Sequence, residues 1–115
     1  MSKLIRTSSK TLEWIKDLKE LIKKKNLPLD YRESEIYAHF KSKDTKRKIA
    51  QLRPSKNQIE VFLKLNTNVD KYLQISSSTK GYGESYPSMF IIDSKSKIKK
   101  AAELIGLSYK NDLIL

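Results

Sequence analysis

Residues 58–66 constrain the fold most strongly, because every second side chain is aliphatic: Ile59, Val61, Leu63 and Leu65. An extended strand sends alternate side chains to opposite faces, so these four define one buried face. Glu60 and Lys64 flank Phe62 on the other side. Two preceding stretches read the same way. Residues 35–41 set Ile36, Ala38 and Phe40 against Tyr37, His39 and Lys41. Residues 47–53 set Ala50 and Leu52 one way and Ile49 the other. Polar connections at 42–46 and 54–57 join them, which gives an antiparallel meander. Residues 88–92 read as a last strand, and residues 72–76 as a short strand or loop. Residues 29–33 read as a short connection with room for one helical turn.

Two amphipathic helices bracket this sheet. In the first, Leu12, Ile15, Leu18 and Ile22 recur at helical spacing, with Leu21 alongside and Trp14 at the border. Ser8 or Ser9 supplies the N-cap. Lys23, Lys24 and Lys25 close the helix in agreement with its dipole, and Asn26 and Pro28 end it. In the second, Ile98, Ala101, Ala102, Ile105 and Tyr109 form the stripe behind a cap at Asp93 or Ser94. One apolar stripe per helix and one apolar sheet face predict an α+β fold. It consists of a mostly antiparallel sheet of four to five strands with two helices packed on one face. The 115 residues are expected to form one domain, with residues 1–8 and 112–115 loosely ordered.

Charge narrows the partner. Lys and Arg number 24 against 13 Asp and Glu, a net charge of +11. Such an excess favours an anionic partner, with nucleic acid first and an anionic membrane surface or an acidic protein also compatible. Only Arg6, Arg32, Arg47 and Arg53 are arginines, so the basic surface is mostly lysine. Bidentate reading of guanine prefers arginine, and a lysine surface suits backbone phosphates. Cysteine is absent, which excludes disulfides, thiolate zinc sites and cysteine nucleophiles. The first ten residues lack the apolar core of a signal peptide, and no run reaches the length of a membrane span. The expectation is therefore a cytoplasmic protein without membrane contact. His39 is the single histidine, too few for a metal cluster or a hydrolytic triad. No metal, cofactor or catalytic residue is expected.

The long irregular stretch at 76–87 is the first candidate site, since long loops in small domains often carry function. Gly81 and Gly83 allow close backbone approach, Tyr82 and Tyr86 offer flat rings for a base, and Lys80 suits a phosphate. No Gly-Lys-Ser/Thr follows Gly81-Tyr82-Gly83, so this is not a nucleotide-phosphate loop. Lys95, Lys97, Lys99 and Lys100 crowd the start of the second helix, where free N–H groups and cations together suit phosphate. Lys46 and Arg47 form a further basic cluster at a hairpin tip, with Lys43 and Lys48 beside them. Each cluster has an equally simple reading as a solvated charged face.

The pattern from about residue 31 to 111 resembles a known family. The features are Ile36-Tyr37-Ala38-His39-Phe40, Ala50-Gln51-Leu52-Arg53-Pro54 and Ile59-Glu60-Val61-Phe62-Leu63-Lys64-Leu65. Gly81-Tyr82-Gly83, Ser88-Met89-Phe90, Ala102-Glu103-Leu104-Ile105 and Ser108-Tyr109 complete the set. Together they resemble an uncharacterised bacterial and archaeal domain family, often labelled a predicted transport protein and often found behind restriction-endonuclease-like nuclease domains. The family's loop often carries an aromatic-Gly-x-Gly stretch, of which Lys80-Gly81-Tyr82-Gly83-Glu84 is a looser version. The resemblance implies an accessory domain near nucleic-acid enzymes and no catalysis of its own. The leading expectation is thus a small basic domain that binds nucleic acid through phosphates. The alternatives are a protein-interaction or homodimerisation module using the sheet face around Tyr37 and Phe62, and, last, a small-ligand or hydrolytic site.

Overall fold

The computed structural model describes residues 2–76 and 86–114. Helix α1 spans Ser9–Lys24. Ser8 caps it: its Oγ accepts from the Thr11 N–H at 3.2 Å, and the Thr11 hydroxyl accepts from the Ser8 N–H at 3.0 Å. This reciprocal pair satisfies two backbone donors that a helix start otherwise leaves unpaired. The helix buries Trp14, Ile15, Leu18 and Ile22, and Asn26 turns the chain away at φ 57°.

Among the described residues six strands follow: β1 (Leu29–Glu33), β2 (Ala38–Ser42), β3 (Lys48–Pro54), β4 (Ile59–Leu63), β5 (Gln74–Ile75) and β6 (Ser88–Ile92). Helix α2 (Ile98–Leu113) comes last. The sheet order is β1-β2-β3-β4-β6-β5, and every neighbouring pair is antiparallel. The fold is α+β as expected, but with six strands where four or five were predicted. The strand that was not anticipated is β1. Asp30, Arg32 and Glu33 obscure its alternation, yet it is an edge strand, where charged side chains are tolerated and discourage further pairing.

The two helices and the inner sheet face share one core. Ala38, Phe40, Ala50, Leu52, Ile59, Val61, Leu63, Phe90 and Ile92 from the sheet meet the α1 stripe and Ile98, Ala101, Ala102, Leu104 and Ile105 of α2. Ile49 corrects a sequence expectation. Alternation points it away from Ala50, but it is fully buried in the same core. Phe40 pairs with Ala50 and Lys41 with Lys48, so Ile49 is the extra residue of a β-bulge, which re-aims its side chain. Ser108 on α2 holds this bulge in place. Its hydroxyl donates to the Ile49 carbonyl at 2.6 Å and accepts from the Lys64 N–H at 3.0 Å.

The chain ends are anchored at two points. Leu4 is buried, and the Ile5 N–H donates to the Glu35 carbonyl at 2.9 Å. Near the other end Asp112 is fully buried in the last turn of α2, while Leu113 and Ile114 are exposed.

Candidate functional site

The helices cover one face of the sheet, and the other face can be read from the strand register. One row of cross-strand neighbours runs Arg32–His39–Gln51–Phe62–Met89–Gln74. This face has two unlike halves. On the β4–β6 side Phe62 is 1% exposed, with the Tyr86 ring 6.5 Å away at a 49° tilt. On the β1–β3 side the row carries Arg32, His39 and Gln51, with Lys41 and Lys48 paired across the neighbouring position.

Arg32, Lys41 and Lys48 surround His39 from three strands. Burial lowers the His39 pKa below the ordinary imidazole value, and repulsion from Lys48, Lys41 and Arg32 lowers it further. The charged groups that shift it are cations, and among the described residues no carboxylate is hydrogen-bonded to orient it as a catalytic imidazole is oriented. No acid forms an ion pair with Arg32, Lys41 or Lys48 among the described residues. Two acids share this face: Asp30 stands across from Lys41 and lies 3.9 Å from Lys43, and Glu60 lies 3.9 Å from Arg53. The result is a cluster in which three cations outnumber the one carboxylate, Asp30, that stands across from Lys41. Such a cluster attracts a polyanion and does no bond chemistry by itself.

The residues singled out from sequence are dispersed. Lys80, Gly81, Tyr82 and Gly83 lie outside the described residues. Tyr86 is 5% exposed against Phe62, and burial pushes its hydroxyl up to about 12. Lys95 and Lys97 belong to a 3₁₀ turn that leads into α2. Lys97 pairs with Asp93 at 2.8 Å, and Lys100 pairs with Asp70 and lies 3.6 Å from Glu103. The hydrogen bond from Lys100 holds the Asp70 carboxyl below its ordinary range, helped by the Tyr72 N–H. These acids offset the cost of lysines near a helix N-terminus. Lys95 and Lys99 share a shallow hollow with Asp17 and Glu20 of α1.

Lys46 and Arg47 sit at the far end of α2. Lys46 takes φ 65° in the β2–β3 turn, and Arg47 donates from Nε to the buried Asp112 carboxylate at 2.9 Å. Sixteen helical residues separate the two ends, about 24 Å at 1.5 Å per residue. The two basic clusters therefore do not form one surface, and several of their cations already hold structural acids.

The sequence places Lys48 in the hairpin-tip basic cluster and Arg32 in a connecting segment, and neither reading brings them to His39. The available signal was alternation around His39, which already placed Lys41 on its face. The missing information was the register that brings β1 and β3 to either side. Among the described residues no group of three or more His, Cys, Asp or Glu could hold a metal ion. No helix there is long and apolar enough to cross a membrane. Comparison with known proteins finds no matching family model, no matching curated protein and no matching solved structure.

Proposed function

We propose that this chain binds nucleic acid through its phosphate backbone, using the β1–β3 half of the sheet face opposite the helices. The observation that carries the reading is the convergence of Arg32, Lys41 and Lys48 around His39, without ion-paired acids, on the face opposite the helices. The overall charge of +11 supplies the long-range attraction, and this face supplies the place of contact. Two lysines and one arginine favour phosphate contact over base reading. The same charge disfavours self-association face to face, because each copy would set its cations against those of the other. Such a domain would serve beside nucleic-acid enzymes, as the resemblance of its sequence implies.

The test is equilibrium binding of labelled duplexes of unrelated sequence, followed by anisotropy between about 50 and 200 mM salt. The expected result is similar affinity across sequences and a log–log salt slope of about −2 to −3, the value for three contacts. Binding that ignores salt, or no binding at the low-salt end, sinks the proposal.

Proton linkage gives a second signature. The imidazole of His39 carries a depressed pKa in the free protein, so protonating it there is unfavourable. A phosphate laid on the cluster offsets the repulsion and raises that pKa, so binding takes up a proton. Affinity should therefore rise as pH falls through and below the ordinary imidazole value of about 6.5. His39→Gln should flatten the profile and leave the affinity at pH 8 nearly unchanged. A profile of equal steepness in that variant would assign the linkage to another group.

A further inference from the structure

The cationic surface does not stop at the sheet edge. A cavity of about 470 Å³ lies between α1, β1 and the N-terminal segment, and Arg32 lines it together with Lys3, Lys16 and Lys19. Among the described residues Glu33 is the one acid in that lining, and both of its oxygens are engaged. Oε1 accepts from the Ser2 hydroxyl and the Lys3 N–H, each at 2.9 Å, and Oε2 accepts from the Tyr31 hydroxyl at 2.5 Å. Glu33 thus pins the N-terminal segment to β1 and offsets one of four charges. None of the four cations has an ion-pair partner within 4 Å among the described residues. Leu12 and Ile15 add apolar surface to the cavity lining. The site is an open hollow, with a volume in the range of small-ligand sites.

Arg32 is common to this cavity and to the cluster around His39. The basic track therefore runs from Lys48 and Lys41 on the sheet face, through Arg32, around the β1 edge to Lys3, Lys16 and Lys19. The two parts face different sides of a single edge strand. A DNA duplex bends smoothly only over about 150 base pairs and cannot follow such a corner. A single strand can, because it rotates freely about its backbone bonds and can place a splayed nucleotide in a pocket.

We infer that the ligand is single-stranded nucleic acid, which follows this track around the β1 edge and seats one nucleotide in the cavity between α1 and β1. The inference rests on the nucleic-acid reading of the sheet face and adds the strandedness and the path. A duplex touches the face alone, while a single strand touches the face and the cavity.

The experiment compares a labelled single strand with a duplex of the same sequence, on the wild type and on Lys16→Glu/Lys19→Glu. Both lysines lie on the exposed side of α1, and a melting curve confirms the fold. The wild type should bind the single strand more tightly than the duplex. The double variant should bind the single strand about 100-fold more weakly at low salt, with a salt slope shallower by about 1.4, the value for two contacts on a single strand. Its duplex affinity should fall less than about fivefold, through the lost long-range field alone, since those lysines do not touch a duplex. Should the acidic pair disturb α1, Lys16→Gln/Lys19→Gln gives the same pattern at about half the logarithmic effect. Equal losses on both probes, or no loss on the single strand, overturn the inference and leave the sheet-face reading intact. Failure of the wild type to bind either probe overturns both.

Discussion

Asp112→Ala should lower the stability of the fold by about 3 kcal/mol, the cost of leaving buried partners without their counter-charge. For a chain of this size that corresponds to roughly 10–15 °C in melting temperature. Asp112 is fully buried in the last turn of α2 and gathers three separate elements. Its carboxylate accepts from the Thr45 hydroxyl at 2.6 Å, Arg47 Nε at 2.9 Å and Lys64 Nζ at 3.3 Å. Arg47 also donates from Nη2 to the Asp112 carbonyl at 2.9 Å, satisfying an acceptor at the helix end. Removing the carboxylate frees the β2–β3 turn and the end of β4 together. Arg47 is half exposed and recovers some hydration, so the loss falls at the lower end for a broken buried pair. Urea unfolding reads it directly, and a loss below about 1 kcal/mol would show that water replaces the network.

The acid limb of the stability profile follows from the same residue. Burial alone would raise the Asp112 pKa, but hydrogen bonds from Thr45 and Arg47 and the charge of Lys64 outweigh it. The net shift is downward from the ordinary 3.8. A carboxyl depressed in the folded state stabilises fully above its unfolded value, and that contribution is lost as pH falls through the folded value. Wild-type stability should therefore fall steeply below about pH 4, and part of that slope should be missing in Asp112→Asn.

Much of the architecture was legible because it follows from periodicity. The period-two pattern of Ile59, Val61, Leu63 and Leu65 and the helical stripe of Ile15, Leu18 and Ile22 fix which faces are buried. Register was not legible, and register decides the site. A one-residue bulge at Ile49 restores the outward facing of Lys48 opposite Lys41, and no propensity in the sequence marks that insertion. Leu29–Glu33 was obscured for a different reason. An edge strand tolerates Asp30, Arg32 and Glu33, so its composition resembles a loop. Local runs of lysine were conspicuous in the sequence, but Lys97 and Lys100 meet Asp93 and Asp70 in the fold. A run of charge along the chain shows neither which acids fold back onto it nor which cations meet across strands.

Lys41→Glu/Lys48→Glu should weaken nucleic-acid binding about 100-fold at low salt, because two phosphate contacts become two repulsions. The pair is a sharp test because its members are neighbours across β2 and β3 and flank the same imidazole. Lysine already faces lysine at that position, so the variant exchanges one like-charge pair for another and leaves the core untouched. It also reverses the field on His39. Cations now depress that pKa, and two glutamates should raise it above the ordinary imidazole value, which NMR titration reads in the free protein. The contrasting variant is Lys97→Glu/Lys100→Glu, which removes the same charge from the start of α2. There the lysines hold Asp93, Asp70 and Glu103, so reversal should cost stability while affinity falls less than about fivefold through the lost long-range field. A large loss on the sheet face with a small one at the helix places the contact around His39. Equal losses would mean that total charge, and not this cluster, governs binding. A large loss only at the helix would move the contact to Lys95, Lys97, Lys99 and Lys100, since the face cations would then be surface charge without a ligand.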